Sequence, residues 1–192
     1  PGGPIHLATR DAAVAAAVAR DLPAIRLMTP QALAENSDLV LLAVPPEAYP
    51  GVIGAINPYL AAPTILVSLT NGIALEALGR LTSTPVVKVI ATMAHAEGRG
   101  VALVIGGPAA SPQDVERVHD CFAAIAAPMV IGEEDCRAAS NIAGSSLALV
   151  ARFAEALVAA HTGNLRQLDP AMLTAMMAET LVAVGALVQA GH

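Results

Sequence analysis

The chain has 192 residues, of which 55% are hydrophobic and only 2% aromatic, so alanine, valine and leucine must fill its core. Its sixteen acidic residues outnumber its ten lysines and arginines, and the net charge of −6 argues against the basic surface on which nucleic-acid binding depends. The two cysteines fit a reducing compartment, and neither they nor the five histidines show the spacing of metal ligands. We therefore expect a cytoplasmic protein that binds neither nucleic acid nor a metal ion.

Short apolar segments alternate with helix-forming segments through the first two thirds of the chain. The run Leu39–Val44 is apolar throughout, which is typical of a parallel strand covered on both faces. Asp11, Thr29 and Ser111 stand where the N-cap residues of three predicted helices belong. The alternation predicts an α/β fold with a Rossmann-like, doubly wound and mostly parallel sheet. The predicted strands are Pro4–Ala8, Ile25–Met28, Leu39–Val44, Thr64–Ser68, Val86–Ile90, Val101–Ile105 and Met129–Ile131.

The pattern changes after Glu133, where the strand signal ends. Residues 134–162 and 170–190 predict two long helices, so we expect a Rossmann-like domain of residues 1–132 and an all-helical domain of residues 133–192. The second helix carries a single charge, Glu179, a composition that suits either a membrane span or a helix buried on nearly every side. Because a subunit interface provides such burial, we expect no membrane contact and an oligomer whose interface buries this helix.

Thr9 and Arg10 end the first predicted strand. In a dinucleotide fold, the strand after the glycine-rich helix ends beside the adenosine ribose, and an arginine there suits a 2′-phosphate because its guanidinium pairs with two oxygens. A solvated arginine at a strand end is the alternative. The G-x-G-x-x-G segment that binds pyrophosphate occurs nowhere in the chain. Either the nucleotide site was discarded or the chain is truncated, and we expect truncation because the chain begins where a second strand should.

Small residues follow two more of the predicted strands. Ala43, Val44 and Pro45 would let a flat cofactor approach the backbone, although an ordinary strand stop has the same composition. Ser68 ends the next predicted strand, and Gly72 lies in the turn that follows it. The carboxyl ends of parallel strands share one edge, where ligands bind in open α/β folds. Residues 140–146 add hydroxyl groups around a glycine, which suit either a ligand carboxylate or close helix packing.

Taken in order, four segments resemble motifs of the pyrroline-5-carboxylate reductase family. The segment SDLVLLAVPP (37–46) resembles ADVVxLAVKPQ, and VSLTNGIALEAL (67–78) resembles ISIAAGVTLATL. The segment PVVKVIATMA (85–94) takes the place of PVVRVMPNTPA, and NIAGSSLA (141–148) stands where ALSGSGPA would be. The resemblance extends from Ile5 to Gly191.

This resemblance implies an oxidoreductase that passes a hydride from NAD(P)H to the cyclic imine 1-pyrroline-5-carboxylate and so makes proline. The implied cofactor is NADP, with NAD as the alternative, and no residue is assigned as catalytic. The implied subunit contact is a homodimer through the C-terminal helices. The resemblance places Thr9 and Arg10 at the adenosine phosphate, Ala43, Val44, Pro45, Ser68 and Gly72 along the cofactor, and Gly144, Ser145 and Ser146 near the substrate carboxylate.

Departures from the family pattern keep other functions open. Residues 91–94 read Ala-Thr-Met-Ala in place of Pro-Asn-Thr-Pro, and residues 143–147 read Ala-Gly-Ser-Ser-Leu in place of Ser-Gly-Ser-Gly-Pro. The family's late Ser-Pro-Gly-Gly-Thr-Thr loop has no counterpart before His192. Three hypotheses follow: a truncated imine reductase, a related NADP-dependent reductase of another substrate, and a non-catalytic dimeric regulatory or binding protein built on the reductase scaffold.

Overall fold

The computed structural model of the chain describes residues 3–191. It divides into two units, one ending at Ala143 and the other beginning at Gly144. The first unit extends past residue 132, where the sequence places the domain boundary, because Cys136 packs in its core cluster and Glu133 pairs with Lys88. The outermost residues of the two expected domains, Pro1, Gly2 and His192, lie outside the described part.

Strands and helices alternate along the first unit, and the second unit is helical. The strands are β1 (His6–Leu7), β2 (Arg26–Leu27), β3 (Leu39–Leu42), β4 (Ile65–Ser68), β5 (Val86–Ile90), β6 (Val101–Gly106) and β7 (Ala127–Val130). The helices of the first unit are α1 (Ala12–Asp21), α2 (Pro30–Glu35), α3 (Tyr49–Ile56), α4 (Leu75–Gly79), α5 (Pro112–Phe122) and α6 (Cys136–Ser140). The second unit contains α7 (Ser146–Thr162) and α8 (Pro170–Gln189).

The main sheet has the strand order β3-β4-β5-β6-β7, and β1 pairs with β2 in a separate parallel pair. Every pairing is parallel except that of β5 with β6. The predicted Rossmann-like, mostly parallel α/β fold is therefore confirmed. The antiparallel step has a simple cause: ten residues without an α-helix separate β5 from β6, whereas a parallel crossover needs a dozen or more.

The sheet is covered by apolar side chains on both faces. On one face, Leu42, Leu66 and Ile105 pack with Tyr49 and with the helix residues Leu75 and Leu78. On the other face, Ile65, Val67, Val87, Val104 and Phe122 form a second cluster. Since successive strand residues point to opposite faces, β4 contributes to both clusters and is buried along its whole length.

Three helices begin at the predicted capping residues. The Asp11 carboxylate accepts hydrogen bonds from the backbone N–H groups of Ala13 and Val14. The Thr29 hydroxyl accepts one from Ala32, and the Ser111 hydroxyl accepts one from Asp114. Each such cap contributes about 1 kcal/mol to helix stability.

The two edges of the main sheet differ. Hydrogen bonds from Ile65 N–H to Asp38 O and from Leu69 N–H to Leu42 O direct the even-numbered residues of β3 toward β4. The backbone groups of Leu39 and Leu41 therefore face the open side, and Leu41 is 46% exposed. The prediction that this run is covered on both faces is thus wrong for Leu41. At the opposite edge, β7 contains Pro128, which has no N–H group to offer a further strand.

The helix predicted over residues 134–162 is interrupted. A 3-10 turn (Glu133–Asp135), α6, a π-helical turn (Asn141–Ser145) and α7 follow one another in that region. Two helical stretches, Glu133–Thr162 and Pro170–Gln189, are long and apolar enough to cross a membrane by length and composition alone. Core and interface helices of soluble proteins satisfy the same criterion.

Candidate functional site

The carboxyl ends of β3, β4 and β5 lie at one edge of the sheet because the three strands are parallel neighbours. The residues after β3 and β4 touch: a Cβ atom on Gly72 would lie 3.5 Å from Pro46 Cγ, an ordinary contact. Ala43, Pro45 and Gly72 are exposed, and Val44 is half-buried. The structure thus brings four of the predicted cofactor residues to one accessible edge.

Ser68 has a different environment from the one the sequence predicted. Its side chain is fully buried, and its hydroxyl lies 3.2 Å from the hydroxyl of Tyr49, which also donates a 2.8 Å hydrogen bond to Leu42 O. In the sheet register Ser68 stands between Leu42 and Lys88. Its side chain therefore points to the same face as Leu42, which Tyr49 covers. The Ser68 hydroxyl is therefore a structural partner of Tyr49 that joins the ends of β3 and β4 and is not accessible to a ligand.

Thr9 and Arg10 follow β1 and are exposed. The Thr9 hydroxyl accepts a 3.2 Å hydrogen bond from the N–H of Asp11, the residue that caps α1. This local turn leaves the Arg10 guanidinium accessible to an anion. β1 belongs to the separate two-stranded pair, so no backbone hydrogen bond of the described residues joins it to the β3–β5 edge.

The loop after β5 is held by a buried histidine. His95 Nε2 lies 3.2 Å from Val101 O, and the N–H of Thr92 points at His95 Nδ1 over a long 3.5 Å. These contacts correspond to an imidazole that donates from Nε2 and accepts at Nδ1. The Thr92 hydroxyl, which stands where the family has an asparagine, is buried without a hydrogen-bond partner. The buried His95 therefore holds the loop at the carboxyl end of β5 in place.

A buried ion pair connects β5 with the segment after β7. Lys88 is 2% exposed, and its Nζ lies 2.7 Å from Glu133 Oε1. The same oxygen accepts a 2.9 Å hydrogen bond from the N–H of Leu75, the first residue of α4. Partial burial would raise the pKa of the Glu133 carboxyl, but the hydrogen bonds from Lys88 and Leu75 and the Lys88 charge outweigh it and lower the pKa. Glu133 thus caps α4 from a distance of more than fifty residues along the chain.

This lowered pKa predicts a pH-dependent stability. Because the folded pKa lies below the ordinary value of 4.5, the carboxylate contributes stability above that value, and the contribution is lost as pH falls through the folded pKa. We expect Glu133→Gln to have a lower free energy of unfolding than the wild type at pH 7, and this difference to narrow as the pH is lowered below about 4. Urea titrations at a series of pH values measure the difference. A difference of constant size from pH 7 to pH 3 would contradict a stabilising role of the Glu133 charge.

A second polar cluster ties the loop after β4 to α6. The buried thiol of Cys136 donates a 3.2 Å hydrogen bond to Asn71 Oδ1. Asn71 Nδ2 points at Ser140 Oγ over 3.5 Å, and the Ser140 hydroxyl donates to Arg137 O at 3.1 Å. Asn71, the residue beside Gly72, is thereby linked to both ends of α6.

The three residues predicted near a substrate carboxylate belong to the second unit. Gly144 and Ser146 are half-buried, and Ser145 is exposed. Gly144 and Ser145 belong to the π-helical turn, and Ser146 begins α7. Their assignment to the substrate stays a prediction. In the part of the chain that the structure describes, no three histidine, cysteine, aspartate or glutamate side chains group as metal ligands would.

Sequence reasoning missed Tyr49, His95, Asn71, Cys136 and the Lys88–Glu133 pair. One signal was available: Lys88 is the single lysine of the chain and stands inside the apolar run VVKVI, where a charge requires a partner. The partner itself, 45 residues away, left no local pattern to find.

Comparison with known proteins agrees with this fold. Residues 3–72 match the family described as NADP oxidoreductase coenzyme F420-dependent. The pyrroline-5-carboxylate reductase of Corynebacterium melassecola is 29% identical over 132 residues, covering 66% of this chain and 49% of that protein. The ComE operon protein 4 of Bacillus subtilis is 29% identical over 161 residues, covering 82% of this chain and 57% of that protein.

A solved structure shows the same fold over nearly the whole chain. The Plasmodium falciparum pyrroline carboxylate reductase with NADP bound superposes with a TM-score of 0.82 at 21% identity, covering 96% of this chain and 67% of that one. The chain spans about half the length of the curated relatives that it matches. The chain therefore has the fold of the pyrroline-5-carboxylate reductases and is similar to them in sequence at below 30% identity.

Proposed function

We propose that this chain acts in the reduction of a cyclic imine carboxylate of the pyrroline-5-carboxylate type by NADPH. The observation that carries the proposal is the edge formed by β3, β4 and β5, where Ala43, Val44, Pro45 and Gly72 leave an accessible surface of small residues. A bound reduced nicotinamide would supply the hydride there. The chain's own residues hold the edge in shape, since Tyr49 joins two strand ends and His95 fixes the third.

The experiment is a titration of NADPH, and in parallel of NADH, into the purified chain while nicotinamide fluorescence is followed. Saturable binding followed by oxidation of NADPH on addition of 1-pyrroline-5-carboxylate supports the proposal. Absence of binding by both cofactors at millimolar concentration would rule out an active reductase in this chain.

Arg10 is the residue that we propose for selection of NADPH over NADH. Its exposed guanidinium at the end of β1 suits the 2′-phosphate, and NADH lacks that group. Replacing Arg10 with glutamate should weaken NADPH binding by about tenfold or more, because an attractive charge becomes a repulsive one, and should change NADH binding far less.

The matched control for this prediction is Arg166→Glu, which makes the same charge change at an exposed position of the second unit. Both dissociation constants are measured by the fluorescence titration at one ionic strength. Equal losses of NADPH affinity in the two variants would show a general charge effect and would remove Arg10 from the cofactor site.

A second function is favoured by one observation. The loop after β5 has lost the family asparagine, and the threonine in its place buries its hydroxyl instead of presenting it. A non-catalytic dimeric binding protein would retain the scaffold with such a change. Binding of NADPH without turnover of 1-pyrroline-5-carboxylate or other cyclic imine acids would favour this alternative.

We also propose that the chain is cytoplasmic and forms a homodimer through α7 and α8. α7 exposes Leu149, Val150, Phe153 and Leu157 along one face, and no side chain of α8 is buried among the described residues. Apolar surface of this extent on a monomer marks an interaction site. A second copy of the chain supplies the matching apolar surface.

A further inference from the structure

We infer that Asn71 is a positioning residue that fixes the turn Thr70–Gly72 at the cofactor edge by anchoring it to α6. This inference rests on the proposed function, because the turn matters for binding only if NADPH occupies that edge. In the inferred role Asn71 itself does not contact NADPH. It acts through the placement of Gly72, which lies against Pro46.

The anchor uses both ends of the Asn71 amide. Its oxygen accepts the 3.2 Å hydrogen bond from Cys136 Sγ, and its nitrogen points at Ser140 Oγ over 3.5 Å. Cys136 and Ser140 are the first and last residues of α6, so the amide spans the length of that helix. An amide suits this position because it accepts at one atom and donates at the other.

The helix that receives Asn71 is itself fixed. Cys136 is 5% exposed and packs in the core cluster with Leu42 and Leu75. Three residues before it, Glu133 is held by Lys88 and by the N–H of Leu75. The turn therefore acquires its position from a segment anchored to the sheet at two points.

The turn has few restraints of its own. Its internal hydrogen bond runs from the N–H of Gly72 to the Thr70 hydroxyl at 3.1 Å, which shapes the turn but does not fix its place on the sheet. Asn71 and Gly72 are both exposed. Loss of the Asn71 anchor should therefore loosen the turn without unfolding the domain, and small displacements in a binding site are costly.

The test compares Asn71→Ala, Cys136→Ala, Cys136→Ser and the double variant Asn71→Ala/Cys136→Ala with the wild type. Asn164→Ala, in the exposed loop of the second unit, is the matched control. Two quantities are measured: the dissociation constant for NADPH, and the hydrogen–deuterium exchange of peptides covering residues 69–74 and 136–141. Thermal unfolding verifies that each variant is folded.

We expect Asn71→Ala to weaken NADPH binding by about fivefold to tenfold and to speed exchange in residues 69–74. Cys136→Ala should produce a similar change, and the double variant should be no worse than the worse single variant, because both remove one anchor. Cys136→Ser keeps a donor and should bind NADPH more tightly than Cys136→Ala. Asn164→Ala should match the wild type.

The outcomes separate this inference from the proposed function. If the wild type binds NADPH and Asn71→Ala binds it equally well, the inference is overturned and the proposed function stands. If the wild type does not bind NADPH, the proposed function fails, and the exchange data alone decide whether Asn71 anchors the turn. Unchanged exchange of residues 69–74 in Asn71→Ala overturns the anchor in either case.

Discussion

Replacing Lys88 with methionine should lower the free energy of unfolding of the first unit by about 2 kcal/mol. The change leaves the Glu133 carboxylate without its cationic partner, and removal of one member of a buried ion pair costs roughly 3–5 kcal/mol. We expect less than that because Glu133 is 38% exposed, so solvent screens part of the loss. Urea unfolding followed by circular dichroism measures the difference.

Arg80→Met is the matched control for this prediction. Arg80 pairs with Glu76 at 2.6 Å, but both side chains are more than 70% exposed, so the loss should be below about 0.5 kcal/mol. The double variant Lys88→Met/Glu133→Leu should regain part of the stability lost in Lys88→Met, because it removes the unpaired carboxylate. Equal effects of Lys88→Met and Arg80→Met would show that the buried pair does not stabilise this fold.

Replacing Phe153 with aspartate should convert the proposed dimer to a monomer at micromolar concentration. Phe153 is 66% exposed at the centre of the apolar face of α7, where Leu149 and Leu157 lie one turn on either side. A charge at the centre of an apolar interface is left unpaired, and substitutions at such positions weaken association by about 2–4 kcal/mol, or roughly thirtyfold or more. Sedimentation velocity over a range of protein concentrations measures the change.

Ala148→Asp is the control because it adds the same charge to an exposed position on the opposite side of α7. It should leave the sedimentation coefficient of the wild type unchanged. A wild type that stays monomeric at all concentrations would contradict the homodimer. Flotation of the wild type with lipid vesicles would instead assign the apolar face to a membrane.

Local chemistry determined the parts of the fold that the sequence predicted well. Asp11, Thr29 and Ser111 cap their helices through contacts with residues two or three positions away, so the pattern is visible in the sequence. The ends of β3 and β4 were predicted to within two residues for the same reason, since Pro45-Pro46 and Asn71-Gly72 follow them in the sequence. The alternation of strands and helices then placed both ends at one edge.

Contacts between distant residues determined what the sequence did not show. Ser68 reads as a strand-end hydroxyl, but the sheet register turns it inward to Tyr49, nineteen residues earlier. The reversal of β6 depends on the short connection after β5, which contains no α-helix. Glu133 and Cys136 make hydrogen bonds with Leu75 and Asn71, contacts that no periodicity within residues 134–162 reveals.

The asymmetry of the sheet edges has a consequence for where the sheet can be extended. Pro128 has no N–H group to offer a strand beyond β7, whereas the outer side of β3 presents the backbone groups of Leu39 and Leu41. A further strand, from another segment of the same protein or from a second molecule, should therefore pair at β3 rather than at β7.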